Sequence, residues 1–317
     1  MINTWNTFLA SSRRFIATMI ARLTQSIPGE EKNTSWAQWL KTPADVPEAF
    51  QSFFESLRAA GRPFPYAVLT PTFEGYLETT TEKLICIPDR EVNVLERKGN
   101  THTVQSFPLE GISYVEMGTV LLDSNLKISG ETKSGSYESS TLKFNTATDE
   151  LFAPFLEAIR LGSLGARGNS RTLEPDNFNA WMGLSFKFMN YARRSLLEGE
   201  KVVQAVLQPE IRAKVMTVLG WTFYRRISPP LACILSDWEF ILIRETDKHL
   251  ATEKYGGIWD YIPLKKIDKM VLTSKNADVL ILTIQLPHHD HLECLFQPSA
   301  RQEVSQLIDR FKELTAA

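Results

Sequence analysis

The residues able to do chemistry gather in two short stretches. The first is "PHHDH" at residues 287–291. On a strand, His289 and His291 would share a face, and Asp290 would add an oxygen ligand. A metal site needs three or four converging ligands, and no further one is visible. A polar turn between the apolar runs "LILTIQL" and "LECLF" is the competing reading. The second stretch is "GWTFYRRISPP" at residues 220–230, with Arg212 and Lys214 just before it. The forked guanidinium groups of Arg225 and Arg226 suit phosphate oxygens. Trp221, Phe223 and Tyr224 suit a membrane–water boundary. Alternatively, Trp221 and Phe223 alternate into a core and leave the arginines solvated. Signatures of phosphate-loop, zinc-protease and serine-hydrolase chemistry are missing. The glycines of "GSLGARG" at residues 162–168 follow a helical pattern, whereas a phosphate cradle follows a strand. The expectation is a protein without catalysis and without cofactor or metal.

Bulk properties narrow the partners. The chain has 317 residues, 43% hydrophobic and 23% charged, with a net charge of −2. That length holds two ordinary cores, and the charge provides no global field for nucleic acid. Three cysteines make no disulfide framework, which fits a reducing, cytoplasmic setting. No apolar run is long enough for a membrane span. Residues 1–29 carry an apolar stripe of helical spacing that includes Trp5 and Phe8, with the cations Arg13, Arg14 and Arg22 and no acid before Glu30. That composition fits an amphipathic helix on a membrane surface, a helix packed on the rest of the chain, or a targeting segment.

These stretches must be positioned by a larger framework, and the chain reads as a duplication. "AVLTP" at residues 67–71 is repeated as "AVLQP" at residues 205–209. Before each comes a helical pattern ending in a glycine: Phe50, Phe53, Phe54 and Leu57 before Gly61, and Phe188, Tyr191, Ala192 and Ser195 before Gly199. After each comes a hairpin, with Leu84, Cys86 and Ile87 matched to Leu231, Cys233 and Ile234 and nine extra residues in the second copy. "FPLEGI" then matches "IPLKKI", and "LKFN" matches "CLFQ". A helix closes each copy, its stripe Leu151, Phe152, Phe155, Leu156 and Ile159 in the first and Val304, Leu307, Ile308, Phe311 and Leu314 in the second. The Gly- and Ser-rich residues 163–177 read as a linker. The expected parts are an N-terminal helix (1–29), a first domain (30–162), the linker, and a second domain (178–317).

At "LLEGEKVV", "LACILSDWEFILIRE", "YIPLKKIDKMVL" and the final helix, the second copy resembles a bacterial pleckstrin-homology-like or GRAM-like domain. The first copy resembles it less, with "AAGRPFPY" in place of the acidic opening. The resemblance implies an α+β, mainly β fold: two bent β-barrels, each with a leading helix and a C-terminal capping helix. It also implies that Arg225 and Arg226 occupy the loop in which lipid-binding members carry basic residues, with Arg212 and Lys214 on the preceding strand. The resulting expectation is a non-catalytic scaffold making protein or peptide contacts on strand edges and loops. The alternative is a peripheral module held to anionic lipid by the second domain and the N-terminal helix.

Overall fold

The computed structural model describes residues 36–74, 79–120, 122–164, 178–218, 221–245 and 256–316. The amphipathic segment expected at residues 1–29 lies outside them, as does most of the expected linker.

The first copy opens with strand β1 (Gln38–Leu40) and helix α1 (Glu48–Ala59). Of the expected stripe, helix α1 buries Phe50, Phe54 and Leu57 and half-buries Phe53. It stops because Gly61 adopts φ +71°, which lets Arg62 N–H bond Leu57 O and Gly61 N–H bond Arg58 O. That pair of bonds satisfies carbonyls that the helix end leaves open. Then come β2 (Ala67–Thr70), the short hairpin β3 (Phe73–Glu74) and β4 (Thr79–Thr80), β5 (Lys83–Cys86), β6 (Glu91–Lys98) and β7 (Thr101–Pro108). A 3-10 turn leads to β8 (Ile112–Val120), β9 (Asp123–Glu131), β10 (Tyr137–Asn145) and helix α2 (Ala153–Leu164).

From its helix onward the second copy repeats that order, with no described counterpart of β1. Helix α3 (Phe186–Ser195) precedes β11 (Val202–Gln208), the hairpin β12 (Ile211–Val218) and β13 (Trp221–Ser228), β14 (Leu231–Ser236), β15 (Glu239–Arg244) and β16 (Gly256–Pro263). A 3-10 turn again leads to three strands, β17 (Lys269–Ser274), β18 (Leu280–Gln285) and β19 (His291–Phe296), and to helix α4 (Arg301–Thr315). The fold is α+β and mainly β, with antiparallel sheets. Among the described residues none of these sheets closes into a barrel.

Two expectations need adjustment. Ala67 pairs with Cys86, whereas Ala205 pairs with Ile234. The residue equivalent to Cys86 is therefore Ile234, and Ile85 is equivalent to Cys233, one place away from the sequence match. A shift of one residue turns a strand's side chains to the opposite face. Accordingly Cys86 packs under α1, while Cys233 faces the second copy's interior with Val206 and Leu242. The second adjustment concerns Ser163 and Leu164, which read as the start of a linker but complete α2. Ser163 is buried there, and Gly162 lies so close to Leu109 that an added Cβ would collide with its side chain.

The copies are not separate beads. Strand β8 pairs antiparallel with β16, from Val115 opposite Tyr261 to Val120 opposite Gly256. This makes one seven-stranded sheet in the order β10-β9-β8-β16-β15-β14-β11. One of its faces is interior for the first copy (Val115, Leu126, Ile128, Leu142) and exterior for the second (Ala232, Ile234, Ile241, Ile243), and both parts belong to one apolar cluster. Helix α2 covers the seam, packing on β8 and β16, and α3 packs on β14 and β15. The opposite face of the second copy encloses its own core with β17 to β19 and α4.

Candidate binding surface

The expected site residues Arg212, Lys214, Trp221, Arg225 and Arg226 all lie on the β12–β13 hairpin, which forms a two-stranded sheet of its own. Its register pairs Arg212 with Arg226, Lys214 with Tyr224 and Met216 with Phe223, with an irregularity between Lys214 and Met216. Because side chains alternate along a strand, Arg212, Lys214, Tyr224 and Arg226 share one face. Met216, Phe223, Arg225 and Ile227 share the other. Both faces meet solvent: Phe223 is 54% exposed and Tyr224 61%. Phe223 therefore does not alternate into a core. Trp221 opens β13 opposite Val218, next to the hairpin tip.

The cations fall into two groups. Arg212 donates through Nε and Nη2 to Glu210 Oε2 at 2.9 and 2.7 Å, and that carboxylate raises the pKa of its guanidinium. Arg226 Nε lies 4.0 Å from the other oxygen of Glu210. Lys214 and Arg225 are exposed and pair with no described side chain. Among the described residues, the hairpin thus presents two cations without an acidic partner beside four exposed apolar side chains.

Further apolar residues reach the same end of the molecule, and the sequence reading did not single them out. In the seven-stranded sheet, the hairpin leaves from the end where β11 stops, β14 starts, β15 stops and β8 stops. Leu122, in the β8–β9 turn at that end, is 68% exposed. Helix α3 starts at that end too, since Lys187 Nζ bonds Glu245 Oε1 at 2.7 Å just beyond β15. Met182, Leu184 and Phe186, around the start of α3, are exposed as well. The sequence signal was "WMGLSF", apolar residues spaced two apart with no element to bury them.

The histidine cluster has a different geometry. His288 and His289 occupy a 3-10 turn with φ of +61° and +64°, and His291 opens β19. The His288 ring packs on Tyr137, with centroids 4.8 Å apart, and the Tyr137 hydroxyl donates to Asp290 Oδ2 at 3.2 Å. The turn therefore docks on β10 of the first copy. Among the described residues no group of three or more His, Cys, Asp or Glu is arranged to hold a metal ion. Trp5, Phe8, Arg13, Arg14 and Arg22 lie outside the described residues.

Two charge clusters lie between the copies, the first of them buried. Arg160 of α2 reaches into the second copy, where it donates to Glu239, to Glu200 at 3.4 Å and to Ser195 O at 2.8 Å, over the Tyr261 ring. Burial, with the Glu239 carboxylate alongside, pushes Glu200 up to about 8. Burial likewise raises Tyr261 to about 12. Beside the seam, Arg244 Nη2 donates across it to Glu116 Oε2 at 3.1 Å and within its own copy to Asp260 Oδ1 at 3.3 Å. Burial pushes Asp260 up to about 7. Arg160, Glu200, Glu239 and Asp260 are enclosed, and they bind the copies to each other, whereas Arg244 keeps about a third of its side chain in solvent.

Two clefts among the described residues gather little reactive chemistry. One of about 380 Å³ is lined by apolar residues of α1 and its flanking loops, including Val46, Phe54, Phe64 and Pro65, with Arg58 and Arg62 at hand. Another, of about 320 Å³, holds Lys83, Lys143, Glu96 and threonines. Glu96 accepts from Thr81 at 2.8 Å, which lowers its pKa and keeps it ionised. No described helix is long and apolar enough to cross a membrane. The chain matches no protein-family model and no curated protein.

Proposed function

We propose that the chain is a non-catalytic binding protein made of two pleckstrin-homology-like units, and that it docks on an anionic membrane surface through the β12–β13 end. The element order supports the family reading. In each copy a helix leads into four main strands, a proline and 3-10 corner, three more strands and a closing helix. The observation that carries the docking reading is the projecting hairpin, on which Lys214 and Arg225 alternate with exposed Phe223 and Tyr224. Cations near an anionic leaflet contribute about 1 kcal/mol each, and aromatic rings favour the headgroup layer. Leu122, Met182, Leu184 and Phe186 extend the apolar contact beyond the hairpin. With the hairpin they make three separate tips, a relief that a soft lipid surface accommodates without a matched counter-surface.

The test is co-sedimentation with vesicles of phosphatidylcholine alone and of phosphatidylcholine mixed with phosphatidylserine. Binding is expected only to the mixed vesicles, weakening with salt, and K214E/R225E should abolish it. Failure to bind either vesicle removes the membrane reading. A protein or peptide partner is then the occupant, to be captured by photo-crosslinking from position 224.

A further inference from the structure

The internal seam pairs β8 of the first copy with β16 of the second. In a duplicated chain each seam strand has a counterpart. Aligning the corners "FPLEGI" and "IPLKKI", the counterpart of β16 is β7, and that of β8 is β17. Burial supports the alignment: Phe107 with Ile262, Leu109 with Leu264, Ile112 with Ile267 and Val115 with Met270 are buried in both copies. Yet β7 is the last strand of the five-stranded sheet and β17 the last of the three-stranded sheet. The two halves of a second seam exist, on different edges of the molecule.

We propose that β17 of one molecule adds antiparallel to β7 of a second copy, repeating the β8–β16 seam between chains. Transferring the seam register places Val271 opposite Gln105, Leu272 opposite Val104, Thr273 opposite Thr103 and Ser274 opposite His102 of the other copy. None of these pairs sets like charges together. Val104 is 40% exposed on its edge, and Leu272 is only partly covered by its own core. Exposed edges are commonly guarded by central charges or prolines. In β7 the sole proline is the final residue, Pro108, and no residue is acidic or basic apart from His102. In β17 the sole charge is Lys269 at its start. Lys133 N–H already bonds Ser106 O, so intermolecular pairing begins at Gln105.

A second correspondence comes from the helices. The buried stripes Phe152, Phe155 and Ile159 of the first copy and Val304, Leu307 and Phe311 of the second align. Arg160 therefore corresponds to Lys312. Its partner Glu239, the first residue of β15, corresponds to Glu91, the first residue of β6. Repeating the seam brings Lys312 of one molecule toward Glu91 of the next, opposite charges at the place where Arg160 meets Glu239. At present Lys312 bonds Asp309 at 3.2 Å and Glu91 bonds Lys133 at 3.3 Å, contacts exposed enough to exchange.

This contact joins two different edges, so it is heterologous and propagates into chains or closes into a ring. The experiment is sedimentation equilibrium of the full chain over rising concentration, with T103K and T273K on the two exposed edges. Wild type should increase in mass with concentration. Each single variant should remain one chain by itself, because each has lost one half of the contact. Mixed, the two variants should form a dimer and nothing larger, since T103K retains β17 and T273K retains β7. Circular dichroism, and melting at a dilution where wild type is a single chain, should match wild type, because both threonines are exposed. A wild type that stays monomeric overturns the proposal. So does either variant associating by itself, or a mixture that remains monomeric.

Discussion

Replacing Arg160 with methionine tests how the two copies are held together. Arg160 is 5% exposed, and its guanidinium faces Glu239, Glu200 and the Ser195 carbonyl while lying 3.8 Å from the Tyr261 ring centroid. R160M keeps much of the side-chain volume but leaves two carboxylates enclosed without a counter-charge. Removing one partner of a buried pair costs about 3–5 kcal/mol. At an effective dielectric of about 20, two opposite charges this close attract by about 5 kcal/mol, which is of the same size. A folded protein has a margin of about 5–15 kcal/mol, so the loss should be large on that scale. Urea unfolding at pH 8 should show a fall of about 3–5 kcal/mol. At pH 6 the fall should be smaller, because the stranded carboxylates can take up protons. R160M/E200Q/E239Q should recover most of the loss, since neutral amides remove the repulsion. A loss under about 1 kcal/mol at pH 8 would refute the latch, since buried pairs cost more than that to break. An equal loss at both pH values would refute the assignment of its cost to buried charge.

Two further outcomes follow from the same seam. Glu200 is held up to about 8 and Asp260 up to about 7, both above the ordinary carboxylate range, so between about pH 4.5 and 8 the folded chain keeps protons that the unfolded chain releases. These groups therefore make stability fall as pH rises through that window and level off above it, which melting temperatures from pH 5 to 9 would check. Gly162 is pressed against Leu109 inside α2, so G162V should destabilise by about 1–3 kcal/mol through overpacking, measurable as a lower urea midpoint.

Periodicity and internal comparison made the element order legible in the sequence. The stripe Phe50, Phe53, Phe54 and Leu57 and the final stripe from Val304 to Leu314 are local patterns, and a duplicated chain shows each one twice. The insertion was legible for the same reason, as a place where the copies differ in length, but Arg225 and Arg226, expected in a loop, lie on strand β13. The register was not legible. A match at Cys86 and Cys233 is attractive by residue type, but strand pairing puts those two thiols on opposite faces of equivalent strands. Residue identity says nothing about which face a hydrogen-bonded neighbour selects.

The sequence alone determined that this chain contains two copies of one helix–strand–helix pattern, because amphipathic spacing is a property of consecutive residues. It also determined where the second copy carries added aromatic and basic residues. Only the tertiary structure decided that the copies share one sheet, that Arg160 of one is buried among carboxylates of the other, and that Leu122 and Phe186 reach the same end as the hairpin. Those facts depend on which strand edges meet, and an edge presents the same backbone N–H and C=O groups whatever its side chains. Pairing between residues as far apart as Val115 and Tyr261 leaves no local periodicity to read.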